Sequence, residues 1–223
     1  MSVADNLEEI KQRIQQACKN CERNDEKITI IGVTKYVSID RAREALEAGV
    51  NNLGENRREG FLEKHEAIGE EAIWHFIGSL QSRKVKEIIN KVDYMHSLDR
   101  KSLAKEIQKR ADKQVPCFVQ VNVSGEDSKH GLDPSNVEDF IHSLKEYDRI
   151  KVVGLMTMAP HIDNEEELRA VFRKLRALRD IIRDQKLVHA PCKWLSMGMS
   201  NDYQLAIEEG ATHIRVGTSL VGS

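Results

Sequence analysis

The chain has 223 residues, and its 34 basic and 36 acidic side chains give a net charge of −2. This balance argues against nucleic acid or a membrane surface as a partner. Hydrophobic residues make up 40% of the chain, enough for a sizeable core. No apolar run approaches the ~20 residues needed to span a bilayer. We therefore expect a cytoplasmic protein in which residues 1–223 form one domain.

The predicted elements alternate between short apolar strands and longer helical patterns. The first is an amphipathic helix over residues 4–22, in which Leu7, Ile10, Ile14 and Cys18 recur at helical spacing. Eight predicted strands follow, over residues 28–34, 50–53, 73–77, 92–96, 117–123, 150–155, 193–196 and 212–216. Each of them is paired with a helical pattern.

Eight strand–helix alternations predict an α/β fold, a single (β/α)8 barrel of the TIM type with an extra N-terminal helix. That helix is expected to cover one end of the barrel or to pack on its side. A doubly wound open sheet is the alternative. Against it, neither G-x-G-x-x-G nor G-x-x-x-x-G-K-[ST] follows any predicted strand, so the common nucleotide fingerprints are absent.

The four cysteines indicate reduced thiols rather than a metal site. Cys18 and Cys21 form a C-x2-C pair, whereas Cys117 and Cys192 lie alone in apolar segments. A structural zinc site needs a second ligand pair at suitable spacing, and the sequence offers none. We predict no bound metal.

A lysine stands at the end of the first predicted strand. Ile30, Ile31 and Val33 precede Lys35, so its amine is expected at the mouth of the barrel, against a poorly hydrated wall. The C-terminal ends of the strands carry the chemistry in such barrels. A neutral amine there suits Schiff-base chemistry, although a lysine at a strand end can also simply extend into water. Lys129, in the loop after the fifth strand, is a weaker candidate for a second amine at the mouth.

Two segments near the C-terminus have the composition of a phosphate site. Residues 195–202 follow the seventh strand and residues 215–219 follow the eighth, the usual phosphate-binding position in barrels. Gly198 and Gly217 allow close backbone approach, and Ser200 is predicted to lie where a helix begins, with free backbone N–H groups. Ordinary turn chemistry is the alternative for either segment alone.

Six sequence blocks, which run from the first strand to the last, resemble those of the pyridoxal phosphate homeostasis protein family. They are Val33-Thr34-Lys35, Leu53-Gly54-Glu55-Asn56, His75-Phe76-Ile77-Gly78-Ser79-Leu80-Gln81, Gly154-Leu155-Met156-Thr157, Leu195-Ser196-Met197-Gly198-Met199-Ser200 and Arg215-Val216-Gly217-Thr218. The family resembles the N-terminal barrel of alanine racemase. One departure is the tail Leu220-Val221-Gly222-Ser223, where the family usually has an aromatic residue and a few further residues.

The resemblance implies a pyridoxal 5'-phosphate (PLP) site with a role for each matching residue. Lys35 would carry PLP as a Schiff base, Ser200, Gly217 and Thr218 would surround the phosphate, and Arg215 would face the pyridine nitrogen. Asn56, Ser196 and Met197 would line the pocket. The resemblance also implies a role in vitamin B6 and amino-acid homeostasis.

The mechanism that the resemblance suggests depends mainly on Arg215. An arginine can only donate to the ring nitrogen, so PLP would be a weaker electron sink than beside an aspartate. Tyr36 and His75 are candidates for an opposing acid or base, but His75 is better explained as a core histidine and Tyr36 as a wall residue. We expect a monomeric PLP carrier with no catalytic residue that passes PLP to apo-enzymes. A small amino-acid racemase, or a barrel for another phosphate ligand, remains open.

Overall fold

The computed structural model describes residues 2–126, 130–160 and 162–222. Lys129, the candidate second amine, lies outside them. The helices are α1 Val3–Asn20, α2 Ile39–Glu47, α3 Arg58–Ile68, α4 Val85–Ile88, α5 Lys101–Arg110, α6 Val137–Ser143, α7 Glu165–Asp184, α8 Tyr203–Glu208 and α9 Thr218–Val221. The strands are β1 Thr29–Val33, β2 Asn52–Glu55, β3 Ile73–Phe76, β4 Tyr94–Leu98, β5 Val115–Gln120, β6 Ile150–Met156, β7 Trp194–Met199 and β8 His213–Val216.

The eight strands form a closed parallel barrel in sequence order. β1 pairs with β2 on one side, where Ile31 lies opposite Asn52, and with β8 on the other, where Ile30 lies opposite Ile214. That last pairing closes the sheet and excludes the doubly wound alternative. The predicted (β/α)8 architecture is therefore confirmed, and the carboxyl ends of all strands meet at one mouth.

The extra helix α1 packs on the side of the barrel. Ser2 and Asp5 form a capping box at its start, and an apolar face that includes Leu7, Ile10 and Ile14 is buried. The helix contacts α8 and α9, which follow the seventh and eighth strands, and the Asn6 amide donates to the Leu220 carbonyl over 2.8 Å. Helix α1 therefore braces the two helices that adjoin the predicted phosphate site.

The barrel interior contains aromatic and histidine side chains among its aliphatic ones. His75 stacks on Tyr94 with ring centroids 4.6 Å apart, and His96 stacks on Phe118 at 4.2 Å. His213 makes an edge contact with Phe118 at 5.1 Å. His75 is fully buried, and both of its ring nitrogens have partners, which confirms the prediction that it is a core histidine.

The boundaries of one strand differ from the prediction in a way that matters for the site. β7 continues to Met199, three residues beyond the predicted end. The pairing of β7 with β8 shifts register between Ser196 and Met199, and Gly198 has φ +92° within this irregular stretch. Glycine adopts this positive φ without strain, so the bulge is tolerated and the strand continues past Ser196 to Met199. No helix in the described part of the chain is long and apolar enough to cross a membrane.

Candidate cofactor site

A cavity of about 710 Å³ opens at the carboxyl ends of the strands. Its walls come from the ends of β1 and β2, from the segments that follow β3 and β6, from the end of β5, and from the turns after β7 and β8. Most of the predicted site residues line it, namely Lys35, Asn56, Ser200, Arg215, Gly217 and Thr218. The structure thus brings together residues that lie as much as 183 positions apart in the chain.

Lys35 lies in a turn rather than at the end of β1, because that strand stops at Val33. The side chain is exposed, contrary to the expected poorly hydrated wall, and its amine lies 5.4 Å from the centre of the Tyr36 ring. Tyr36 is itself 71% exposed and has φ +70°, a conformation unusual for a residue other than glycine. The amine is therefore open to a ligand that enters the cavity.

The turn that carries Lys35 is held from below by a buried ion pair. Thr34 precedes Lys35, is fully buried and donates its hydroxyl to Glu55 over 2.6 Å. The same carboxylate lies 3.0 Å from the Lys64 amine, and the two charged side chains are only 2% and 7% exposed. The Thr34 N–H also donates to the Gly54 carbonyl over 3.1 Å. These contacts fix the backbone immediately before Lys35.

The turns after β7 and β8 contact each other at the opposite wall. The Gly217 N–H donates to the Ser200 hydroxyl over 3.3 Å, and Thr218 begins α9. Ser200 itself lies three residues before α8, which starts at Tyr203, so it is not at the start of the helix as predicted. The Ser200 and Thr218 hydroxyls and the neighbouring backbone N–H groups give this wall the donors that a phosphate requires.

Gly198 serves a different purpose from the one the sequence suggested. A Cβ at this position would lie 2.7 Å from the Ala206 Cβ and 2.9 Å from the Tyr203 Cα. The close approach of its backbone is therefore to helix α8, not to a ligand. Gly198 packs the strand against the helix, and Gly217 is the glycine at the cavity wall.

Arg215 is a buried cation at the base of the cavity. It is 4% exposed, and its Nη1 and Nη2 donate to the Ser196 hydroxyl over 2.6 Å and to the Thr157 carbonyl over 2.8 Å. Burial lowers the pKa of Arg215 to about 10, and the nearby Asp202 opposes that shift. The guanidinium therefore stays charged at neutral pH and keeps further N–H groups with which to meet a ligand.

Two predicted lining residues do not reach the cavity wall. Ser196 lies beneath Arg215 and is fully buried, and Met197 belongs to the hydrophobic core. Neither is among the residues that line the cavity. The reason is the alternation of side chains along β7: Ser196 points into the barrel interior, and the next residue points to the opposite face.

Sequence reasoning assigned no role to two residues that help to hold Arg215 in place. Thr157 accepts from the guanidinium through its carbonyl, and His96 lies 2.9 Å from the Ser196 hydroxyl. Thr157 belongs to one of the blocks that resemble the family, so a signal for it was present. His96 lies in β4, and its contact with Ser196 could be predicted only from the register of the barrel strands. Among the described residues, no group of three or more His, Cys, Asp or Glu is arranged to hold a metal.

Comparison with known proteins identifies the family. Residues 5–223 match the model of the alanine racemase N-terminal domain. A pyridoxal phosphate homeostasis protein of Aquifex aeolicus is 44% identical over 100% of this chain and 98% of its own length. The chain belongs to the pyridoxal phosphate homeostasis protein family. A member of this family from Pasteurella multocida is 31% identical over 100% of this chain and 98% of its own length.

Solved structures agree with this family assignment. PipY of Synechococcus elongatus, with PLP bound, has a TM-score of 0.83 at 27% identity and covers 99% of this chain and 100% of its own. Alanine racemase of Corynebacterium glutamicum has a TM-score of 0.76 at 13% identity, covering 98% of this chain and 60% of its own, which shows a shared barrel fold.

Proposed function

We propose that the chain binds PLP in the 710 Å³ cavity as a Schiff base on Lys35 and acts as a PLP carrier in vitamin B6 and amino-acid homeostasis. One observation carries the proposal: the Lys35 amine, the donors after β7 and β8, and the Arg215 cation all line a single cavity. These are the three kinds of group that the aldehyde, the phosphate and the ring nitrogen of PLP require. A related protein, PipY, has a structure with PLP bound.

The cavity residues fit the cofactor on chemical grounds. Ser200, Gly217 and Thr218 offer hydroxyl and backbone donors to the phosphate. The Asn56 Oδ1 is buried and has no hydrogen-bond partner in the described part of the chain, so it is available to accept from a bound ligand. Ser196 and Met197 take no direct part in this proposal, because they lie beneath the wall and in the core.

Each residue has a defined task when PLP is present. Lys35 would hold the cofactor through its amine, which would form a Schiff base with the PLP aldehyde with loss of water. Bound in this way, PLP supplies an electron sink to any amino acid that reacts with it. Arg215, which can only donate, would keep the ring nitrogen unprotonated and so limit that sink.

The interior histidine is not available as an opposing base, which favours a carrier over a racemase. The two ring nitrogens of His75 are both engaged, with His96 and with Asn52, and the ring is fully buried. Tyr36 lines the cavity, but its ring makes cation–π contacts with the Lys35 amine and with Arg57, whose guanidinium carbon lies 5.6 Å from the ring centre. We further propose that residues 1–223 act as one domain and as a monomer, and that PLP is released to acceptor apo-enzymes.

Removal of either hydroxyl from the phosphate wall is expected to weaken PLP binding. Ser200→Ala and Thr218→Ala should each raise the dissociation constant by an amount that corresponds to about 0.5–3 kcal/mol, the range from an ordinary hydrogen bond to one with a charged group. Pyridoxal, which lacks the phosphate, should bind far more weakly than PLP. Titration of the visible absorption band gives both affinities, with Ser102→Ala, at an exposed serine of α5, as the control. Equal affinity for pyridoxal and PLP would contradict the assignment of this wall.

We expect no useful amino-acid turnover by the PLP-loaded protein. A well-placed base contributes typically 10²–10⁴-fold to proton transfer, and the buried histidine cannot serve as one. The measurement is exchange of the α-hydrogen of the common amino acids in deuterated water, with PLP-free protein as the control. Turnover at about 1 per second or faster, lost in Lys35→Ala, would favour the racemase.

A further inference from the structure

A continuous chain of hydrogen bonds runs from Arg215 across the interior of the barrel. The Arg215 Nη1 donates to the Ser196 hydroxyl over 2.6 Å. That hydroxyl lies 2.9 Å from the Nδ1 of His96, whose Nε2 lies 2.8 Å from the Nδ1 of His75. The Nε2 of His75 lies 2.9 Å from the Oδ1 of Asn52, at the other end of the barrel. The chain links the floor of the cavity to the base of β2.

The chemistry of arginine sets the direction of every bond in this chain. A guanidinium has no acceptor, so Ser196 must accept from Arg215. The Ser196 hydroxyl must then donate to His96. Otherwise this fully buried hydroxyl would have no acceptor for its proton among the described residues that it contacts. His96 must in turn donate through Nε2 to His75, and His75 through Nε2 to Asn52. Both imidazoles are therefore neutral and carry their proton on Nε2.

The surroundings of the two rings favour this neutral state. Both rings are fully buried and stacked, His96 on Phe118 and His75 on Tyr94. Burial lowers the pKa of His75 to about 3 and holds that of His96 well below its usual range. The titratable or charged neighbours that reinforce these pKa shifts are His75, Arg215 and His213 for His96, and His213 for His75.

The bonds also share one polarity relative to the cation. At each link the acceptor atom faces toward Arg215 and the donor proton points away from it. Aligned hydrogen bonds in a low-dielectric interior polarise one another, so each link strengthens the hold of Ser196 on the guanidinium. The other acceptor of Arg215, the Thr157 carbonyl, is also neutral. In these two contacts, the positive charge of Arg215 is therefore stabilised by neutral dipoles, the Ser196 hydroxyl and the Thr157 carbonyl.

We propose that Ser196, His96 and His75 are positioning residues for Arg215, which fix the orientation of the guanidinium so that its remaining N–H groups face the ligand cavity. This inference rests on the proposed function, because it assigns Arg215 to the PLP ring nitrogen. It gives Ser196, which lies outside the cavity wall, a role through Arg215 rather than a contact with the cofactor.

The direction of the hydrogen-bond chain is tested in the ligand-free protein. We expect ¹⁵N NMR at pH 7 to show His75 and His96 as neutral Nε2–H tautomers. In Ser196→Ala, His96 loses its partner at Nδ1, and the resonance of that nitrogen should shift. An Nδ1–H tautomer at either histidine, or an imidazolium, would overturn the directed chain whether or not PLP binds.

The positioning role is tested with PLP labelled with ¹⁵N at the ring nitrogen. In Ser196→Ala we expect this resonance to move toward that of an unbonded pyridine nitrogen, and the dissociation constant of PLP to rise by about 3- to 10-fold, the range for one lost hydrogen bond. His96→Phe keeps an aromatic ring beside Phe118 and should change both quantities in the same direction. Ser97→Ala, equally buried on β4 but bonded to Met95, is the matched control and should change neither.

The possible outcomes separate this inference from the proposed function. A ring-nitrogen resonance and a PLP affinity that are unchanged in both Ser196→Ala and His96→Phe would overturn the positioning role while leaving the Lys35 site intact. If the wild-type protein bound no PLP, the proposed function and the positioning role would both fail. The histidine tautomers measured by ¹⁵N NMR would still show whether the hydrogen bonds run in the inferred direction.

Discussion

Lys64→Met is expected to lower the free energy of unfolding by about 3–5 kcal/mol, because it leaves a charged carboxylate buried without its cation. The Lys64 and Glu55 side chains are 7% and 2% exposed, and their charged atoms lie 3.0 Å apart. The effect should also reach the cavity, since Glu55 accepts from Thr34 next to Lys35. Urea unfolding of the ligand-free protein measures the change.

Two further variants show whether the buried charge is the cause. Arg13→Met removes the cation of the Arg13–Glu9 pair, whose side chains are 51% and 50% exposed, and should change stability by less than about 1 kcal/mol. Glu55→Gln added to Lys64→Met removes the buried charge but keeps a partner for Thr34, and should restore much of the loss. A Lys64→Met protein as stable as wild type would contradict the assigned role of the pair.

The second large expected effect is a loss of stability in mild acid. Burial lowers the pKa of His75 to about 3 and that of His213 to about 4, and lowers that of His96 well below its usual range. As the pH falls below 6.5, these histidines become protonated in the unfolded chain, where their pKa is near 6.5, but stay neutral in the folded chain. The stabilisation is therefore fully present above pH 6.5 and is lost as pH falls toward the folded pKa values.

Between pH 7 and pH 5 we expect a loss of about 2 kcal/mol for each of His75 and His213, with His96 adding in the same direction. Carboxylates titrate near pH 4 in the unfolded chain, so they contribute little in this window. Urea unfolding at the two pH values gives the difference. His142→Gln, at a side chain that is 48% exposed, should leave the pH dependence unchanged. His213→Phe should make it shallower by about 2 kcal/mol, and a wild-type stability that is equal at pH 7 and pH 5 would show that these histidines are not buried as neutral groups.

The sequence predicted the fold and much of the cavity wall for one physical reason. Strand periodicity locates the carboxyl end of each strand, and a parallel barrel brings all those ends to one mouth. Lys35 follows β1, Arg215 lies in β8 and Gly217 follows β8, so we could predict from the order of the strands alone that they meet at one cavity.

The errors arose where the outcome depended on register rather than on order. Gly198 lies in a bulge that carries β7 to Met199, and Met199 and Ser200 line the cavity. Ser196 precedes the bulge, points into the barrel interior and lies beneath Arg215 instead of at the wall. The Lys35 side chain is exposed because β1 ends at Val33, one residue before the predicted end, and Lys35 lies in the turn that follows.

The interior contacts could not be predicted, because they join residues from distant strands. His75 meets His96, and His96 meets Ser196 a hundred positions further along. The Lys64–Glu55 pair had one visible sign. Lys64 lies on the same face of α3 as the buried Phe61 and Ile68, where an unpaired lysine would be unfavourable.

Covalent capture of PLP tests the central claim most directly. The protein is incubated with PLP, reduced with borohydride, digested, and the modified peptide is identified by mass spectrometry. We expect the label on Lys35, with loss of the label and of the visible band in Lys35→Ala and retention of both in Lys11→Ala, a change at an exposed lysine of α1. A label found mainly on another lysine, or one that persists in Lys35→Ala, would contradict the assignment of Lys35 as the residue that holds PLP.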